Sequence, residues 1–406
     1  MYIKRHLEEV LRVAVNEKGA LCVTGARQVG KSTVLQMLFP DYRALTLDEG
    51  RILRLAIEQP EVFFEQFEPP VFIDEIQYAP SLFPYIKMFI DKTGKKGAFV
   101  MSGSQRYEMM SNVTESLAGR ISLVDLYGLS LREILGDDFC EPFLPTSDYL
   151  KKRAPKALSY NEVWENIWRG FFPELVDSAT NWQRFYSGYV RTYLDRDVSK
   201  LAQVGDLLKF ESFMVAVAAR TGNLLNMTDL AKDTGISLQT AEKWLSILVS
   251  SNVVYVLRPY YNNVLKRLIK TPKIYFLDTG LASYLIGWDN ERVLQNGAMA
   301  GAMFETFVIG EIIKSWANAT GVTPHTSFFF FRDKDGNEID LLIKRNGMLY
   351  PVEVKKHIQC DKKDIVAFRQ LEKIADMKRG EGCVICMADD VFPITPTDKA
   401  VGVRYI

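Results

Sequence analysis

The segment Gly25-Ala26-Arg27-Gln28-Val29-Gly30-Lys31-Ser32 limits what this chain can fold into more than any other stretch. It fits the pattern GxxxxGK[ST] at every fixed position, follows the apolar run Leu21–Thr24 and precedes a helix-like stretch, Ser32–Leu38. A glycine-rich turn between a buried strand and a helix N-terminus aims backbone N–H groups and a positive dipole at one point, where phosphate groups bind. Lys31 supplies a cation for the β- and γ-phosphates, and Ser32 a hydroxyl for Mg²⁺. Gly25, Ala26, Arg27, Gln28, Val29, Gly30, Lys31, Ser32 and Thr33 are therefore the expected nucleotide contacts.

The surroundings agree. Short runs at Ala20–Thr24, Ala44–Leu47, Val71–Ile73, Ala98–Ser102 and Ile121–Leu126 are apolar at nearly every position, with helix-period segments between them. Such runs read as parallel strands buried on both faces of a doubly wound α/β sheet. Val71-Phe72-Ile73-Asp74-Glu75 ends an apolar strand in two acids, the Walker B form. Asp74 is placed to hold Mg²⁺ through its water shell, and Glu75 to act as general base on the attacking water. Ala98–Ser102 leads into Gly103-Ser104-Gln105, where Ser104 or Gln105 can contact the γ-phosphate or the water, with a plain strand-end turn as the alternative.

The wording TGARQVGKST, IDEIQ, MSGSQ, SLAGRI and LREI, followed by RGFFPEL and YVRTYLDRDV, resembles the AAA+ superfamily. More narrowly, it is similar to a prokaryotic family that couples a small AAA+ module to a C-terminal domain of unknown function. The resemblance covers essentially the whole chain. It implies ATP with Mg²⁺ as the cofactor, hydrolysis to ADP and phosphate, and ATP-promoted self-association. Arg120 sits where that family carries an arginine acting on a γ-phosphate or at a subunit interface, and a structural salt bridge is the alternative. Arg196 is a second landmark, of unassigned role.

Further along, Met227–Gly235 reads as a short helix, Gly235-Ile236-Ser237 as a turn and Ser237 as the N-cap of a second helix. Leu238, Ala241, Leu245 and Leu248 fall on one face of that helix, and the strand-like runs Val253–Leu257 and Lys273–Leu277 follow. This is a helix-turn-helix with a wing. Used on DNA, it would direct Gln239, Thr240, Lys243 and Ser246 at a major groove, beside a wing carrying Tyr260, Tyr261, Lys266, Arg267, Lys270 and Lys273. The reading face is nearly neutral, so a protein-contact or purely structural role competes with DNA.

A helix-like segment, Ala300–Trp316, carries Glu305. The strand Ser327–Phe331, a turn, the strand Glu338–Ile343, an Asn346-Gly347 hairpin and the strand Leu349–Lys356 come next. Alternation puts Glu353 and Lys355 on one strand face, with Asp340 across the hairpin. Two carboxylates with a lysine beside them can hold a divalent cation and orient water for phosphodiester attack. The pattern resembles the PD-(D/E)xK nuclease fold, with Asp340, Glu353, Lys355 and Glu305 matching its motif. An active nuclease and a retained scaffold both fit that motif. Cys383 and Cys386 lack a second ligand pair and read as small residues of an apolar strand rather than a zinc site.

The expected organisation is an AAA+ P-loop domain over 1–135, a helical lid or connector over 136–205, a winged helix over 206–290 and a restriction-endonuclease-like α/β module over 291–406. Lys plus Arg and Asp plus Glu each number 50, so a basic overall charge does not announce nucleic acid, and any such binding comes from a local patch. Charges interrupt the first residues and no apolar run is long enough to span a bilayer, so neither a signal peptide nor a membrane partner is expected. The five cysteines make no disulfide scaffold, which points to a reducing cytoplasm. Three readings follow: an ATPase whose cycle acts on a C-terminal half that binds nucleic acid or protein, a slow ATP-dependent regulatory or defence switch, and an ATP-regulated metal-dependent nuclease.

Overall fold

The computed structural model describes residues 2–104, 117–194, 198, 207–261, 271–374 and 377–406. Gln105, Arg196, Lys266, Arg267 and Lys270 lie outside those residues. The N-terminal sheet contains β1 (Ala20–Thr24), β2 (Arg43–Thr46), β3 (Val71–Asp74), β4 (Phe99–Gly103) and β5 (Ile121–Asp125). They are ordered β2-β3-β4-β1-β5 and every pairing is parallel. The interior strand β1 turns Leu21 and Val23 to one apolar core and Ala20 and Cys22 to another. Burial on both faces explains why the run is continuously apolar, and it places the turn after Thr24 at the carboxyl edge of the sheet, where ligands of open α/β sheets bind.

The middle of the chain is helical. Asp278 is half-buried, accepts N–H bonds from Phe171 (2.7 Å) and Leu281 (2.7 Å), and accepts from the Tyr186 hydroxyl at 2.6 Å. Gly170, with φ of 87°, lies in this knot, and a Cβ there would come 2.1 Å from the Tyr186 hydroxyl. The RGFFPEL wording thus has a packing cause. Helices Met227–Thr234 and Leu238–Ser250 are joined through Gly235 in the left-handed region, and the Ser237 hydroxyl caps the second by accepting from Thr240 N–H. A three-stranded sheet of β6 (Asn223–Leu224), β7 (Val254–Leu257) and β8 (Lys273–Phe276) packs beside them in the order β6-β8-β7.

The buried face of Leu238–Ser250 keeps Ala241 and Leu248 of the expected set but is rotated toward Trp244 and Ile247. Ala241, Trp244, Ile247 and Leu248 are inside, whereas Leu238 is 46% exposed and Leu245 only half-buried. Trp244 decides the rotation, because its ring packs on Phe210 and Phe213 at centroid distances of 5.0 and 5.5 Å.

The C-terminal sheet contains β9 (Phe328–Arg332), β10 (Glu338–Arg345), β11 (Met348–Val354), β12 (Lys378–Arg379), β13 (Gly382–Cys386), β14 (Val391–Pro393) and β15 (Asp398–Gly402). β9, β10 and β11 form an antiparallel meander, and β13 and β15 continue it in parallel beyond β11. Asn346 and Gly347 both have positive φ, as the expected hairpin turn requires. Cys383 and Cys386 are free and buried in β13.

The helix Ala300–Thr320 has 21 residues, buried nearly all round, so it is a core element spanning about 30 Å at roughly 1.5 Å per residue. It also docks on the N-terminal unit. Glu311 accepts from Leu131 N–H at 2.8 Å, and Lys314 donates to Leu129 O at 2.8 Å. One apolar cluster consequently runs from Leu7 to Ile406. Within the connector, the stretch 151–156 is largely exposed but is pinned at one residue. Arg153 is buried and donates to Asp137 (2.7 Å) and Arg404 O (3.1 Å).

Candidate functional site

The turn after β1 is shaped by close approach. A Cβ on Gly25 would meet Leu126 O at 2.1 Å, so only glycine fits there. Gln28 and Gly30 have φ of 60° and 92°, and Gly30 opens the helix Lys31–Leu38. Val29 and Ala26 are buried under the turn, Arg27 reaches the Tyr78 hydroxyl at 3.3 Å, Gln28 is exposed, and Thr33 is exposed on the helix. Lys31 folds over the turn and donates to Gly25 O (3.1 Å) and Ala26 O (2.8 Å). Ser32 donates to both oxygens of Asp74, at 2.9 and 2.8 Å. A hydroxyl and a carboxylate side by side fit a Mg²⁺, which Ser32 and Asp74 would hold.

Glu75 follows with φ of 58°, an unusual conformation for a residue with a Cβ and one that clusters at functional sites. Its carboxylate accepts from the Ser104 hydroxyl at 3.2 Å and from the Gln77 amide, which also donates to Ser104 at 3.3 Å. The structure therefore brings Ser104 to the general-base candidate. It adds Gln77 and Ser102, whose hydroxyl donates to Asp74, neither of which sequence reasoning singled out. The signal for Ser102 was present, since polar residues at the ends of β3 and β4 share the sheet's carboxyl edge. The local turn that brings Gln77 back to Glu75 has no such signature.

Arg120 lies elsewhere. Its carbonyl accepts from Ala20 N–H, so it sits at the opposite end of β1 from the phosphate turn, about 13 Å away at roughly 3.3 Å per residue. It pairs with Asp91 (Nη2–Oδ2 3.0 Å) on the surface, and this distance keeps it from a phosphate bound in its own subunit.

Two more groups grip the turn from outside the motif. Arg5 is buried and donates to Val29 O (2.9 Å), Tyr127 O (2.7 Å) and Glu133 (3.1 Å). Burial pushes the Glu133 carboxyl up, but Arg5 and the N–H groups of Ser130 and His6 outweigh it and hold it below the ordinary range. Asp125, at the end of β5, accepts from Thr24 (2.8 Å) and from Thr323 (2.7 Å). The strand that carries the phosphate turn is thus joined through one carboxylate to the segment leaving the helix Ala300–Thr320.

At the other end of that helix the motif residues do meet. Lys355 donates to Glu353 at 2.6 Å, and Val354 N–H donates to Asp340 at 3.0 Å across the hairpin. Glu305 joins them, accepting from the Tyr275 hydroxyl at 2.7 Å. The residue among them is unexpected. Lys273, assigned above to an exposed basic wing, is buried, and its ammonium lies 2.9 Å from Glu305, 3.1 Å from Asp340 and 2.7 Å from Glu338. Burial raises the carboxyls of Glu305, to about 7, and Glu353, to about 8, and the Asp340 charge adds to both shifts. With an ammonium between Glu305 and Asp340, the residues as arranged do not fit a divalent cation. Among the described residues no group of three or more His, Cys, Asp or Glu side chains is disposed to hold a metal.

The DNA-facing set also shrinks. Tyr260 is buried against Phe329, centroids 5.6 Å apart, and Lys273 is internal, whereas Gln239, Lys243 and Ser246 are exposed. Among the described residues no helix is long and apolar enough to cross a membrane.

Residues 17–135 match the family described as AAA domain, residues 160–292 a domain of unknown function (DUF8612), and residues 300–406 a domain of unknown function (DUF4143). The first match and the geometry make the N-terminal unit a P-loop domain of AAA type and support an ATPase. Uncharacterized proteins of Mycobacterium tuberculosis and Mycobacterium bovis are each 25% identical over 398 residues, covering 96% of this chain and 81% of the relative. The Walker-type ATPase paby2304 of Pyrococcus abyssi is 14% identical, with 70% of this chain and 96% of that chain covered at a TM-score of 0.44. A STAND protein of Pyrococcus horikoshii with a tetratricopeptide repeat sensor is 10% identical over 78% of this chain and 48% of its own, at 0.29. At these scores the two structural likenesses are remote and carry no assignment.

Proposed function

We propose that this protein binds ATP with Mg²⁺ in the Gly25–Thr33 turn and hydrolyses it, with Glu75 as general base. The observation that carries this reading is the convergence of Lys31, the Ser32–Asp74 pair and the Glu75–Ser104 pair at one sheet edge. Lys31 leaves the Gly25 and Ala26 carbonyls for the terminal phosphates. Ser32 and Asp74 hold the metal. Ser104 and Gln77 orient the Glu75 carboxylate toward water. The test separates binding from turnover: Lys31→Ala loses ATP affinity, whereas Glu75→Gln keeps it and loses hydrolysis. Equal loss of binding in both would refute the roles.

The nucleotide cycle acts on the C-terminal half. What supports this is Asp125, bonded at once to Thr24 beside the phosphate turn and to Thr323 after the long helix. A slow switch and a working ATPase share this path, and DNA-stimulated sustained turnover would favour the second. The neutral exposed face of Leu238–Ser250 and the burial of Tyr260 and Lys273 favour a protein partner over DNA. ATP promotes self-association, with Arg120 reaching a neighbouring subunit's γ-phosphate in place of Asp91. A mixture of Arg120→Ala and Glu75→Gln that regains turnover over either alone supports this, and no recovery refutes it.

A further inference from the structure

We infer that Lys273 takes the place of the divalent metal in the C-terminal carboxylate cluster, so that the cluster is a charge-locked joint between two sheets rather than a nuclease centre. The inference uses no part of the ATP reading.

The side chains expected to ligate a metal are all present and close: Glu305 from the long helix, Asp340 from β10 and Glu353 from β11. The cation they surround is a side chain from a different part of the chain. Lys273 opens β8, where its backbone is paired with Leu224 of β6 on one side and Leu257 of β7 on the other. That small sheet is itself stitched to the edge of the C-terminal one. Tyr260 N–H donates to Phe330 O at 2.7 Å, and Phe330 N–H donates to Arg258 O at 3.1 Å. The ammonium is therefore delivered by backbone held on both sides and is not free to swing away.

Its three donors match what surrounds it. Lys273 has contacts with Glu305, Asp340 and Glu338, so one compact cation with three N–H groups satisfies three carboxylates. A divalent ion bound to Glu305 and Asp340 would sit in the same space, against a fixed positive charge. Glu353 carries the mark of the exchange. Its Oε1 is paired with Lys355, while its Oε2 is buried with no partner, as a ligand oxygen is left when an ammonium that cannot reach it stands where a metal would be. Lys355, the residue that would orient water, spends its charge on Glu353. A buried cation among carboxylates is costly to remove alone, because the carboxylates then stand uncompensated. The lock consequently ties the β6–β8 unit to the C-terminal sheet.

The test uses the full chain without nucleotide, with Mn²⁺ as the probe followed by electron paramagnetic resonance. The parent is expected to take up no Mn²⁺ that depends on Asp340 at millimolar concentration, and to cut neither DNA nor RNA with Mn²⁺ or Mg²⁺. Asp340-dependent Mn²⁺ uptake or metal-dependent cutting by the parent, abolished by Glu353→Gln, would overturn the inference without any Lys273 variant. Lys273→Ala, and Lys273→Met which keeps the apolar stem, are expected to gain one bound Mn²⁺ and a melting temperature that rises with Mn²⁺. Adding Asp340→Asn should remove both gains. A folded Lys273→Met that gains neither would show that the ammonium does not stand in for a metal.

Discussion

Replacing Arg5 by methionine removes a side chain that ties the N-terminal segment to the phosphate turn. Arg5 and Glu133 are each 3% exposed, and the guanidinium supplies the carboxylate with a 3.1 Å bond while donating to the carbonyls of Val29 and Tyr127. The methionine leaves Glu133 buried with only backbone N–H donors from His6 and Ser130. Breaking a buried pair from one side typically costs about 3–5 kcal/mol. Urea unfolding should show that loss, and calorimetry should show weaker ATP binding because Val29 O is released. Arg5→Met with Glu133→Gln should lose less than the sum of the single changes, since the uncompensated charge is gone. The pH dependence follows from the lowered Glu133 carboxyl. Its folded value lies below the ordinary 4.5, so its contribution is fully present above that value and lost as pH falls through the folded one. The parent should lose its advantage over the double variant in that acid window. A loss below about 1 kcal/mol in Arg5→Met, the level of an exposed pair, would refute the clamp.

Two further outcomes are expected. Gly25→Ala should abolish ATP binding, or folding of the N-terminal unit read by circular dichroism, because its Cβ meets Leu126 O at 2.1 Å; normal affinity would contradict the close approach. Thr323→Val removes the hydroxyl shared by Asp125 and Tyr127, leaves Asp125 the longer Thr323 N–H bond (3.4 Å) at a cost of about 1 kcal/mol, and should weaken ATP-dependent protection of the long helix in hydrogen exchange; unchanged protection would refute the path.

Much of the N-terminal site was legible because its chemistry is local. Gly25–Ser32 and Asp74-Glu75 are contiguous, and the apolar strands fix which sheet edge they share. What was hidden depends on contacts between distant residues. Arg5 reads as one charge among several in a polar N-terminal helix start, yet its partners lie 24 to 128 positions away. Lys273 follows three basic residues and looked like part of an exposed wing. Only the pairing of β8 with β6 and β7 buries it among Glu305, Glu338 and Asp340. Leu238 and Leu245 satisfied helical spacing with Ala241 and Leu248, which are buried, but spacing alone cannot say how far the face that meets the core is rotated. Trp244, with more area to bury against Phe210 and Phe213, took that face. The hairpin from Asp340 to Lys355 was readable because the Asn346-Gly347 turn fixes its register.

The most direct test of the account is the rate of phosphate release at saturating ATP and Mg²⁺, compared between the parent and Glu75→Gln at equal nucleotide occupancy. A general base at Glu75 predicts a loss of about 10²–10⁴-fold with ATP affinity unchanged. A Glu75→Gln form that releases phosphate at the parent's rate, or a parent that releases none, would contradict it.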